Sequence, residues 1–446
     1  MARLLLVLAA AMQAAPAPPT RPAAPVHRAV APVPPIHTGP GPDSAMVAEF
    51  LGALAETPPA VCGMAVAMLG NGWEWPGVRG SVSSLRDEPT AVRGDRRRFQ
   101  SSLQDRRAVP LLKVSLSRSE PCVRRAAAHL LGNSGLPEAD KALRDGLRHS
   151  EARVREAAAL GLGYMEHPAS FDVLVEALRD GDGEVVRMAA WALGNLQDAR
   201  AVPPLARLTE AEAIGVRRAA ALGLGEIEDA RAVKPLVPLL RDRDAGVREA
   251  AATALGQIED ASASTALVQA LGDRAQNVRL AAVEALGQIE DPKTAPGLKE
   301  LLQDRDPEVR AAAARALGSI ADPSAAEALG RLVADSVTEV RHAAVAALGQ
   351  LDDLHVAPAG LLAALRDRDP ALRARAAETL GQIGDPAGVS GLAGLLKDEN
   401  VEVRRQAVSA LGQIEGDAVT RHLVVALKDP DAGVRKAAAE ALGDDR

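Results

Sequence analysis

Aromatic residues are almost missing from this 446-residue chain: three Phe, three Trp and one Tyr. None follows Trp191. Sandwiches and barrels draw heavily on aromatic and β-branched residues, so an all-β fold is excluded as the expectation. There are two cysteines, Cys62 and Cys122, too few for a disulfide-dense scaffold or a Cys-rich metal site. Long apolar runs are also scarce. The longest near the start, Leu4 to Met12, is too short to cross a bilayer. Basic excess is absent: the net charge is −7, with +6 on residues 1–125 and −13 on the rest. A surface that acidic is a poor match for phosphate backbones, so no nucleic-acid partner is expected.

What is abundant is Ala, Leu, Val, Gly and charge. Apolar residues make up 47% of the sequence and charged residues 25%. That combination describes a large helical protein with a core of small aliphatic side chains. Met1-Ala2-Arg3, the short apolar run and the small residues after it form a secretory signal over residues 1–17. The protein is therefore expected to be exported, periplasmic or extracellular, with a cytoplasmic or organellar location as the alternative. Residues 18–43 are a Pro/Ala-rich linker in which proline fixes φ and removes donors. Residues 44–104 read as a helical cap, with helices near Ala45–Ala55 and Pro59–Gly70 and a loop holding Trp73 and Trp75.

From residue 105 onward the sequence repeats. Leu-Gly recurs with its glycine at positions 132, 163, 194, 225, 256, 287, 318, 349, 381, 412 and 443, at a period of 31 broken once by 32. About eleven copies at a fixed period predict an all-α fold, an α-solenoid of two-helix repeats over residues 105–446. The repeats are numbered 1 to 11 by these glycines. In repeat 5, Arg231–Leu240 reads as a first helix, Arg241–Gly246 as a turn and Val247–Ile258 as a second helix. Asp-Pro pairs such as Asp291-Pro292 and Asp306-Pro307 supply an N-cap acceptor and an N1 proline. A mid-helix glycine costs about 1 kcal/mol relative to Ala. Its return in every copy predicts close approach of neighbouring second helices.

Eight residues before the glycine stands an arginine in ten copies, and six before that arginine an aspartate in eight. The pairs Asp242–Arg248, Asp273–Arg279, Asp304–Arg310, Asp335–Arg341, Asp367–Arg373, Asp398–Arg404 and Asp429–Arg435 are intact. Arg118, His149, Val186 and Ala211 interrupt the pattern in the first four copies. Repetition of one pair serves repeat-to-repeat stacking, so the expectation is a structural ladder bonding across stacked repeats. The only thiols, Cys62 and Cys122, form a candidate disulfide in an oxidising compartment.

The Val-Arg-x-Ala-Ala-Ala-x-Ala-Leu-Gly core with its upstream Asp resembles the short bacterial HEAT repeat of the phycobilin-lyase type. The resemblance covers residues 105–446. It implies a two-helix solenoid whose second helices line the concave face. It also implies one of three roles: lyase subunit, deoxyhypusine-hydroxylase-like oxidoreductase, or plain adaptor. The hydroxylase binds a di-iron centre through His-Glu dipeptides, and this sequence contains none. No metal-spaced His pair, phosphate-cradling loop or nucleophile elbow occurs either. No cofactor is expected, and the reading is a non-enzymatic scaffold that binds a protein or peptide, with the enzyme as the alternative.

The binding residues are expected where copies differ. Positions seven and three before the glycine and one after it share a helical stripe. In the first copies that stripe carries Arg125, His129, Asn133, Tyr164, Arg187, Trp191, Asn195 and Arg218. Later copies place Thr253, Glu284, Arg315 and repeated Gln there. Polar tolerance predicts that the stripe is exposed, and Trp, Tyr and Arg are residues that dominate interfaces.

Overall fold

The computed structural model describes residues 43–56, 103–351 and 353–443. The signal, the linker, the second cap helix, Trp73, Trp75 and Cys62 lie outside the described residues. The described residues are helical throughout, arranged as first helix, turn, second helix, return. The protein divides into two compact units at Gly223/Leu224.

In the first unit, helix Ser44–Ala55 buries Val47, Phe50, Leu51 and Leu54 against the first repeat. Its backbone is tied down where Ser44 N–H donates to Asp105 Oδ2 at 2.9 Å. Second helices follow at Pro121–Gly132, Ala152–Met165 and Gly183–Asn195. In the second unit they run Ala245–Ile258, Gln276–Ile289, Pro307–Ile320, Thr338–Leu348, Pro370–Ile383, Val401–Gly412 and Ala432–Gly443. The capping residues behave as their types require. Asp244, Asp306, Asp369 and Asn400 accept from N–H groups of the first turn they precede.

In repeats 3–8 and 10 the first helix opens with a 3-10 turn. Asp198, Asp229, Asp260, Asp291, Asp322 and Asp385 cap those turns. Repeat 5 departs from the single first helix expected over Arg231–Leu240. Its α-helical part is only Val233–Leu236, and Val237–Arg241 tightens into a 3-10 segment. Pro235 and Pro238 explain this, because each removes a donor and crowds the carbonyl four residues back.

The repeated glycine sits where second helices touch. A Cβ built on Gly256 would stand 2.8 Å from Ala285 Cα and overlap the Gln288 side-chain oxygen of the next repeat. Gly381 meets Ala410 and Gln413 in the same way. The stripe residues Gln257, Gln288, Gln350, Gln382 and Gln413 therefore each lie over the glycine of the preceding copy. Where the period lengthens to 32, close approach moves to the first helices, and a Cβ on Gly360 would overlap the Gly330 carbonyl.

The Asp–Arg ladder exists, with a different partner from the one the sequence spacing pairs. In the rungs that form, the arginine grips the aspartate of the next repeat, 25 residues on or 26 at Arg341, and not its own. Arg248 Nε and Nη2 donate to Asp273 at 2.7 and 2.9 Å, and Arg279 grips Asp304 at 2.8 and 2.9 Å. The same two-pronged bond joins Arg155–Asp180, Arg310–Asp335, Arg373–Asp398 and Arg404–Asp429. Nη1 turns the other way. It donates to two carbonyls of its own turn, as Arg248 does to Asp242 and Arg243. Each aspartate Oδ1 also accepts from the N–H two residues on, at 2.8 Å for Asp273 and Ala275. Burial raises the Asp273 pKa, but Arg248 and the Ala275 N–H outweigh it and hold the carboxyl below its usual range.

Arg341–Asp367, which spans the 32-residue step, is the looser rung, at 3.0 and 3.3 Å. Beside it His342 Nε2 lies 2.7 Å from Asp369 Oδ2, a second link across the same seam. Between repeats 3 and 4 both partners of a rung are gone, replaced by Val186 and Ala211. That joint loss fits this pairing, since losing one partner alone leaves a buried charge uncompensated.

The rungs predict a specific mutational asymmetry. Arg279 is 6% exposed on its side chain. Asp304→Ala should cost about 3 kcal/mol in chemical denaturation, because that guanidinium is stranded. The double change Arg279→Val with Asp304→Ala, copying Val186 and Ala211, should recover more than half of the loss. Additive losses would show that the rung is not the coupled pair described. Cys122, 5% exposed, is disulfide-bonded. Non-reducing peptide mapping should recover it linked to Cys62, and a Cys122 linked to a different molecule would overturn that pairing.

Candidate functional site

The stripe residues of the first unit come together on the second helices, but not all as an exposed surface. His129 lies one turn before the end of helix Pro121–Gly132 and is 4% exposed. Its ring meets the Tyr164 ring edge-to-face at 4.6 Å, and Tyr164 meets Trp191 in the same manner at 5.3 Å. Such pairs add about 1 kcal/mol each beyond the area they bury. The Trp191 ring edge rests over Gly163, where any Cβ would overlap it, and Tyr164 Cβ occupies the equivalent place 2.7 Å from a Cβ built on Gly132.

The glycine seat that Gln fills in the second unit is thus filled by aromatic side chains in the first. The expectation that the whole stripe is exposed fails at His129 and Leu160, both buried. Thr253, Glu284 and Arg315 are indeed exposed at this position. At His129 the bulky Tyr164 of the next copy closes over it. Tyr164 and Trp191 are half-buried, each with one edge in the stack.

Polar groups surround this row. Asn133 is exposed, and its amide nitrogen lies 3.1 Å from His129 Nε2. Arg125, Arg187, Asn195 and Arg218 are partly exposed. Arg187 is steadied by Glu184 at 2.6 Å. The face of the first unit is therefore a three-ring aromatic row with arginines at its margin. Burial pushes the Tyr164 pKa up to about 12 and the His129 pKa down to about 4. The row thus stays neutral near pH 7.

Among the described residues no group of three or more His, Cys, Asp or Glu is placed to hold a metal. Glu166 and His167 fall at the end of helix Ala152–Met165, and Glu166 is in the left-handed backbone region at φ 48°. His149 accepts from the Glu151 N–H at 3.1 Å, in the manner of a turn cap. Among the described residues no helix is long and apolar enough to cross a membrane.

His129 carries a pH prediction. Its folded pKa, about 4, lies below the ordinary 6.5. The unfolded state therefore binds the extra proton first. Stability from this site is complete above pH 6.5 and is lost as pH falls toward 4, by on the order of 3 kcal/mol at the acid end. Leu occupies the equivalent position in repeats 2 and 4, as Leu160 and Leu222. His129→Leu should thus gain on the native protein as pH falls from 7 to 4.5 in urea titrations. A pH-independent difference would contradict the neutral buried ring.

No curated protein matches the sequence. Among solved structures, an engineered protein is 24% identical over 75% of this chain and 98% of its own, with a TM-score of 0.46. The CpcE–CpcF phycocyanin lyase of Nostoc sp. PCC7120 is 26% identical over 55% of this chain and 93% of its own, with a TM-score of 0.35. Kap95p, from a structure with RanGDP, is 17% identical over 89% of this chain and 62% of its own, with a TM-score of 0.49. The model for HEAT repeats matches residues 82–163, 141–214, 206–276, 264–349 and 358–443. With that family model spanning most of its length, the chain belongs to the HEAT-repeat proteins.

Proposed function

We propose that this protein is a non-enzymatic scaffold that docks a protein or peptide on the second-helix face of its N-terminal unit, and that it works after export. The observation that carries the reading is the row His129–Tyr164–Trp191 flanked by Arg125, Arg187 and Arg218. A glycine seat that a Gln fills elsewhere is filled here by larger rings whose outer edges remain open. Aromatic and arginine side chains on a rigid backbone bind with little ordering cost. HEAT-repeat proteins commonly bind proteins, which supports the same reading.

Because Trp191 is half-buried, truncating it to Ala would disturb packing as well as binding. Trp191→Leu, which copies Leu160 and Leu222, keeps an apolar side chain at this position and gives up the ring contact with Tyr164. It should lower the melting temperature by no more than a few degrees while weakening partner capture by about tenfold or more. A photo-crosslinking residue at Asn133 or Asn195 should trap a polypeptide from the native envelope fraction. The same residue at exposed Glu176, on a first helix, should not. Equal trapping at Glu176 would refute the face, and stoichiometric iron in the purified protein would refute the scaffold reading.

A further inference from the structure

The ladder contains one seam in which the cation is kept and the acid is missing. At every described rung, arginine Nη1 caps its own turn, while Nε and Nη2 form a fork that holds the next repeat's carboxylate. Arg124 of repeat 1 makes the first set of bonds, to the carbonyls of Arg118 and Ser119 at 2.9 and 2.8 Å. For its fork, the residue at the aspartate position of repeat 2 is His149. Among the described residues, Arg124 Nε and Nη2 have no hydrogen-bond or ion-pair partner.

His149 does not supply the missing acceptor. Its Nδ1 accepts the Glu151 N–H, as Asp180 Oδ1 accepts that of Asp182. The neutral ring then carries its proton on Nε2, a donor. Both sides of this seam therefore offer donors.

Two comparisons within the protein sharpen the point. Between repeats 3 and 4 the rung is discarded whole, as Val186 and Ala211. Arg435, in repeat 11, keeps the same two carbonyl bonds but is exposed. Arg124 is neither discarded nor exposed. Burial lowers its pKa, against the pull of Glu156 and Glu120 and with the push of Arg153 and Arg125. The other described arginines with a shifted pKa are raised by the aspartate they hold, as Arg155 and Arg248 are.

We infer that the seam between repeats 1 and 2 is a carboxylate-binding site, in which the Arg124 fork takes an acidic side chain or the terminal carboxylate of a bound polypeptide. A guanidinium fork matches the two oxygens of a carboxylate, and partial burial strengthens that bond over one at an open surface. The docking reading enters only in naming a polypeptide as the source, since Arg125 of the proposed face is the next residue on the same helix.

The test uses the full-length protein and three labelled peptides at about 0.15 M salt, where long-range charge effects are screened. One is Glu-rich with an amidated C-terminus, one is a neutral Gly/Ser peptide with a free carboxylate, and one is the neutral peptide amidated. Fluorescence anisotropy should show binding of the first or the second, and which one binds identifies the source. His149→Asp builds the missing acid into the protein. It should raise the melting temperature by several degrees and weaken that peptide by about tenfold. Ser150→Asp, carrying the same charge one residue away at an exposed site, should change binding by less than about twofold.

Arg124→Gln should abolish the difference between the charged and neutral peptides. If it fails to fold, His149→Asp still decides the matter. Absence of charged-peptide binding, or equal binding to native protein and His149→Asp, overturns the carboxylate site. So does a His149→Asp variant that is not stabilised, which would mean the fork does not face this seam. Loss of the carboxylate site with cross-links at Asn133 retained would leave the docking face standing.

Discussion

Second helices in this protein approach until no Cβ fits between them, and the other features of the repeat follow from that contact. Ala dominates the buried positions of those helices because larger side chains would force them apart. The glycine leaves a hollow, and the next copy fills it, with Gln288 over Gly256 in the second unit and Trp191 over Gly163 in the first. Burying such small residues gives little apolar area per residue, at about 25 cal/mol per Å². A stack built this way gains from a second device that holds adjacent copies in one register. The guanidinium–carboxylate rungs supply it, each tying a turn to itself and to the following turn.

Buried ion pairs are weak evidence for stability, because desolvation opposes the attraction. Their value here is geometric. A fork that must meet both oxygens of a carboxylate while its third nitrogen caps two carbonyls tolerates little sliding between copies. The seam between repeats 3 and 4, with Val186 and Ala211, shows that apolar contact can stand in for a rung when both charges leave together. Arg124 shows the other arrangement, one charge kept without the other.

Much of this is legible in the residues. The Leu-Gly period marks the number of copies and their two-helix form, and the Asp-Pro pairs mark helix starts. The ladder is legible as a repeated chemistry but not as a pairing. Asp242 and Arg248 are near in sequence, whereas the bond runs from Arg248 to Asp273, and both spacings recur in the same way in a periodic sequence. Burial of His129 is not legible from its own position, where Thr253 and Glu284 of later copies point to an exposed surface. Exposure there depends on the neighbour: Tyr164 in the next copy closes over His129. The helix break in repeat 5 follows from Pro235 and Pro238, which an average repeat conceals.

The single extra residue between Gly349 and Gly381 has a consequence for how the second unit comes apart. In a linear array each copy is coupled to its neighbours alone, so cooperativity is only as long-ranged as the weakest coupling. At this step the rung stretches to 3.3 Å at its longer prong, and the first helix shrinks to Ala359–Ala364. The connecting segment holds Asp353 at φ 49° and Val356 at 72% exposure. Amide exchange in the second unit is therefore expected to divide here, with repeats 5–8 and repeats 9–11 opening as separate blocks.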